Sequence, residues 1–160
     1  YVIPENWHPF PWFSSPLLRT QQTAQQLGLD YQIESELIEM HWGDWEGKTL
    51  KELRNQDAKT FAETEAKGFD MQPPKGESPR MVGQRVTEWV RPRTDGLNPT
   101  SPIGIITHKG VIRALLAAAC DWDMKNKPPV KLDYKAAHKF GWNGERWLLL
   151  EANIHLLPPD

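Results

Sequence analysis

The residues best suited to chemistry lie in Gly104-Ile105-Ile106-Thr107-His108-Lys109-Gly110-Val111-Ile112-Arg113, where an apolar strand runs through a turn into a helix. A helix start presents unpaired N–H groups and the positive end of the dipole, so Lys109 and a protonated His108 there would be repelled. An anion in the turn removes the conflict, and strand-to-helix turns are where α/β proteins hold phosphate. A second such unit places Arg19 in the first turn of its helix, after Ser14-Ser15-Pro16. The planar fork of arginine suits phosphate oxygens, and histidine can serve phosphoryl transfer as a nucleophile or as a charged stabiliser. A proton for a leaving oxygen would come from the loop Glu36 to Glu46, which holds Glu36, Glu39, Asp44 and Glu46 beside Trp42 and Trp45. The residue types alone do not choose among these four acids.

The elements that must position these groups follow from periodicity and punctuation. Residues Tyr1 to Pro11 read as a loop feeding a short strand at Trp12-Phe13. Serine then caps, and proline opens, a helix from Pro16 to Leu27, with an apolar stripe of Leu17, Leu18, Ala24 and Leu27 that Gly28 ends. Thr49 caps a helix through Leu53, and Phe61 to Lys67 reads as another. Ser78-Pro79 repeats the serine-then-proline start before Met81, Val82, Val86, Trp89 and Val90 on one face. Asn98 to Pro102 is expected to turn, Ile103 to Thr107 to be a strand, and Val111 to Ala119 a helix. Strands near His138–Trp142 and Arg146–Leu150 flank Asn143-Gly144, a hairpin signal. Alternating strands and helices closed by an antiparallel pair imply an α/β protein with a mixed, mostly parallel sheet.

The 160 residues correspond in size to a single domain, 1–160. Lys plus Arg at 19 against Asp plus Glu at 21 leaves a net charge of −2, no general field for nucleic acid or an anionic membrane, so attraction for an anion must be local. The single cysteine, Cys120, ends an apolar run and has no internal disulfide partner, which fits a reducing, cytoplasmic setting. No stretch reads as a membrane span or a signal peptide. His41, His138 and His155 stand in no metal-binding spacing, so no metal is expected.

Taken in order, Ser14 through Ala24, Leu37-Ile38-Glu39 through Gly43-Asp44-Trp45-Glu46-Gly47, Gly76-Glu77-Ser78, and Thr107-His108-Lys109-Gly110 with Ile112-Arg113 resemble the motifs of the histidine phosphatase superfamily, which includes the phosphoglycerate mutases. The resemblance runs from about Phe13 to Leu116. It implies a three-layer α/β/α fold and a reaction through a phosphohistidine that needs neither metal nor cofactor. It further implies that Arg19 clamps the phosphoryl group, that Glu39 donates the proton and that His108 stabilises the transferred group. Lys109 is expected at the anion and Glu77 in a minor supporting role, with a small phosphorylated metabolite as partner. The departure lies at the start: the family's nucleophile sits in an Arg-His-Gly segment on the first strand, and none occurs here, since His8 stands in Trp7-His8-Pro9. That segment, with the first strand of the sheet, is expected upstream of Tyr1, and the chain without it should hydrolyse little. No long insertion of the mutase kind lies between Gly47 and Gly76, which favours hydrolysis of phosphomonoesters over mutase transfer. An inactive phosphate-binding module is the reading from another class.

Overall fold

A computed structural model describes residues 1–94 and 102–156. Three short parallel strands form one sheet: β1 (Trp12–Ser14) at its centre, flanked by β2 (Tyr31–Ile33) and β3 (Gly104–Ile106). Trp12 is level with both Tyr31 and Gly104, and Ser14 with both Ile33 and Ile106. Successive strand residues face opposite ways, and β1 shows what that does here. Phe13 enters a core with Leu37, Met40, Val82, Val86, Trp89, Val111 and Leu115, meeting Trp89 edge-on at 5.0 Å. Trp12 packs on the other side with Ile3, Ala24 and Leu29.

Helices therefore cover both faces of the sheet. On one side is α1 (Leu18–Gln26), and on the other α3 (Pro79–Thr94) and α4 (Lys109–Cys120). Of the stripe read on α3, Val82, Val86, Trp89 and Val90 form the buried face while Met81 is exposed, a correction, and Ser78 accepts the Met81 N–H at the helix start. The layered α/β/α architecture expected from the sequence is present.

Several boundaries differ from the expectation, each for a local reason. The first helix begins at Leu18 rather than Pro16, because the Ser15 N–H still bonds Ile106 O at 3.0 Å and keeps this segment on the sheet. The two helices expected near Thr49 and Phe61 form one span, α2 (Leu50–Glu65), broken at Asp57, whose extended backbone and carboxylate re-cap the chain at Thr60 N–H. Thr49 and Glu52 make the reciprocal capping box at the head of α2.

The hairpin forms as read, β4 (Ala137–Trp142) against β5 (Trp147–Ile154) around Asn143-Gly144. It is a separate two-stranded sheet, however, so the single mixed sheet is corrected to two sheets. The hairpin attaches through its side chains: Phe140, Trp142 and Trp147 join the core of α3 and α4, and the Trp147 indole donates to Thr87 Oγ1 on α3. The turn expected from Asn98 to Pro102 falls almost wholly outside the described residues.

Candidate active site

The candidate site forms at the carboxyl ends of β1 and β3, where ligands collect in parallel sheets. β3 ends at Ile106, Thr107 donates to Leu37 O at 2.7 Å, and His108 stands as the N-cap residue of α4 with its side chain turned away from the cap. The imidazole is 4% exposed, and its Nε2 lies 2.7 Å from Ser15 Oγ at the end of β1. Burial holds the imidazole below the ordinary histidine range, and the Arg19 charge adds to this while Glu39 opposes it. The lowered pKa disfavours the protonated form that the head of α4 would repel. In the neutral ring, one nitrogen donates and the other accepts.

Arg19 lies on the exposed first turn of α1, four residues beyond Ser15. Among the described residues no carboxylate pairs with it. Its positive charge is near enough to help hold the His108 imidazole below the ordinary range.

Of the four acids left open by composition, Glu39 is the one the fold carries to the helix. Its Oε2 accepts the Gly110 N–H in the first turn of α4 at 3.2 Å, and its Oε1 accepts the Met40 N–H at 2.8 Å. A carboxylate at this end of a helix also meets the favourable end of the dipole. Glycine at 110 lets the carboxylate come this close, because a Cβ there would overlap Oε1 and lie 3.0 Å from the Glu39 Cδ.

Lys109 and Glu77 each have a partner within the protein. The Lys109 ammonium lies 4.9 Å above the ring of Tyr134. The Glu77 carboxylate takes the Arg85 guanidinium at 2.9 Å and the His41 N–H at 3.0 Å. Burial alone would raise Glu77, but Arg85 and the His41 N–H together hold it below the usual carboxylate range.

Two contributors escaped the sequence reading. Ser15 looks like a helix cap but supports His108. Arg85 sits at the buried spacing of α3, three residues after Val82 and four before Trp89. A cation on an apolar stripe is the signal that could have found it. Among the described residues no cluster of three metal-ligating side chains occurs, and no helix is long and apolar enough to cross a membrane.

Glu39 and His108 meet at the head of α4 at the carboxyl edge of a parallel sheet, and the sequence profile of the histidine phosphatase superfamily (branch 1) matches residues 4–155. The chain belongs to that superfamily. It is 31% identical over 107 residues to the adenosylcobalamin/α-ribazole phosphatase of Salmonella typhimurium, covering 64% of this chain and 52% of that protein. It is also 31% identical over 118 residues to bovine (Bos taurus) 6-phosphofructo-2-kinase/fructose-2,6-bisphosphatase 1, covering 74% of this chain and 24% of that one. The chain therefore spans about half the length of the first relative and a quarter of the second. Among solved structures it resembles mycobacterial glucosyl-3-phosphoglycerate phosphatase in complex with inorganic phosphate, with a TM-score of 0.67 and 25% identity over 94% of this chain and 79% of that chain.

Proposed function

We propose that these residues serve a metal-free phosphatase that hydrolyses small phosphomonoesters through a phosphohistidine. The observation that supports the reading is Glu39 seated on the Gly110 N–H in the first turn of α4, two residues from the buried His108. In this account the unpaired Arg19 guanidinium receives the phosphoryl oxygens, and His108, neutral in the unliganded protein, donates a hydrogen bond to one of them. A histidine nucleophile forms the N–P bond as the P–O bond of the ester breaks, and Glu39 gives its proton to the departing alkoxide. In the second half Glu39 takes a proton from water, whose oxygen attacks phosphorus and releases the nucleophile.

The nucleophile in this reading is the histidine of an Arg-His-Gly segment, which residues 1–160 do not contain. The relatives named as phosphatases support hydrolysis over mutase transfer. A cytoplasmic setting belongs to the same proposal, supported by the unpaired Cys120.

The test is rapid quenching during turnover of a labelled phosphomonoester by protein that includes that segment. An acid-labile phosphohistidine on the segment is the expected product. Label on His108 or a serine, or robust turnover by residues 1–160 that disappears in His108→Ala, would overturn the assignment of the nucleophile.

A further inference from the structure

We infer that Arg85 and Glu77 act as one positioning device that sets the carboxylate of Glu39 against the head of α4. The inference rests on the proposed role of Glu39, but its geometry stands independently of turnover.

Arg85 reaches from α3 and spreads its fork over the loop that carries Glu39. Nη1 donates to Glu36 O, and Nη2 donates to Ile38 O at 2.8 Å, with a longer approach to Glu39 O at 3.5 Å. Its Nε and Nη2 hold Glu77 at 2.9 and 3.2 Å. Glu77 then continues the grip on the far side of Glu39. Its Oε2 accepts the His41 N–H at 3.0 Å, and its own N–H donates to His41 O at 2.8 Å. Backbone groups on both sides of Glu39 are therefore fixed by one ion pair, so the loop has little freedom to turn its side chain away from Gly110.

This pair differs in kind from a surface salt bridge. Its side chains are only 15% and 21% exposed, so loss of one partner would leave the other poorly solvated. It also needs the planar fork. One guanidinium meets the carboxylate and the carbonyls in different directions at once, whereas a lysine ammonium is a single point on a flexible stem. The charge alone would not reproduce the positioning.

The test uses the 160-residue chain and amide resonances, with no turnover needed. Glu39→Gln should move the Gly110 amide resonance in the native background, because it changes the acceptor of that N–H. In Arg85→Lys the same substitution should move it little. Exchange protection of the Gly110 and Met40 amides should fall by about tenfold to a hundredfold, as expected for losing a hydrogen bond to a charged acceptor, while the interior of α4 from Ala114 to Ala117 stays protected. Should Arg85→Lys fail to fold, Glu77→Gln decides by the same two readings. Unchanged Gly110 behaviour in a folded variant, or full retention by lysine, would overturn the inference. Neither result depends on where the nucleophile lies, so failure here is distinct from failure of the phosphatase reading.

Discussion

Substituting Gly110 by alanine should reverse the usual preference of a helix. Alanine in place of glycine ordinarily stabilises a helix interior by about 0.5–1 kcal/mol. At Gly110 the new Cβ would overlap Glu39 Oε1 and stand 3.0 Å from its Cδ. Non-bonded carbons settle at roughly 3.5–4.0 Å, so the carboxylate must withdraw by about 0.5–1 Å. The Gly110 N–H contact, already 3.2 Å, then leaves hydrogen-bond range. A hydrogen bond to a charged acceptor contributes about 1.5–3 kcal/mol. Against the helix gain, Gly110→Ala should destabilise by roughly 0.5–2.5 kcal/mol, or about 1–10 °C in Tm for a chain of this size. The assay is thermal unfolding in two backgrounds, native and Glu39→Ala. Without the carboxylate there is nothing to displace, so the same substitution should raise Tm there. Equal stabilisation in both backgrounds would refute the placement of Glu39 on α4, because the difference between the backgrounds is the coupling itself.

Three further outcomes follow from the same geometry. His108 and His138 are both held below the ordinary value of 6.5, chiefly by burial, so the unfolded chain binds more protons than the folded one as pH falls below 6.5. Stability is therefore full above that value and declines beneath it, and a His108→Gln variant should show a shallower decline between pH 6.5 and 5 in denaturant titrations; an unchanged slope would contradict the burial argument. Ser15→Ala removes the hydroxyl bonded to His108 Nε2 and to the Leu17 N–H, and should destabilise by about 1–3 kcal/mol while shifting the His108 ring resonances, both measurable on one labelled sample. Thr49→Ala breaks the capping box of α2 and should lower stability by about 0.5–2 kcal/mol in denaturant unfolding, without altering those His108 resonances.

The elements legible in the sequence were those specified by neighbours in the chain. The stripe of Val82, Val86 and Trp89, the Thr49 cap and the Asn143-Gly144 turn each act within a few residues, and each appears as read. Ser14-Ser15-Pro16 misled because Ser15 still belongs to the sheet: its N–H finds Ile106 O, and its hydroxyl, while accepting the Leu17 N–H, also meets His108. The hairpin was legible but not its attachment, since Trp147 meets Thr87 from 60 residues away.

The site divides in the same way. His108 and Arg19 stand out because each breaks a local rule at a helix start. Glu39 was one acid among four until the family motif singled it out, and its contact with Gly110 spans 71 residues. Glu77 was visible only as part of a motif. Its task emerges from Arg85, whose partners at Glu36 and Glu39 lie 49 and 46 residues away and follow no periodicity.

The most direct measurement of the central claim is titration of the 160-residue chain with inorganic phosphate, followed by ³¹P resonance and calorimetry, beside its Arg19→Ala variant. If Arg19, His108 and the head of α4 form a phosphoryl site, the native chain binds and the variant loses about tenfold to a hundredfold in affinity, the range for charge-assisted hydrogen bonds. Equal binding by both, or none by the native chain, would contradict the account.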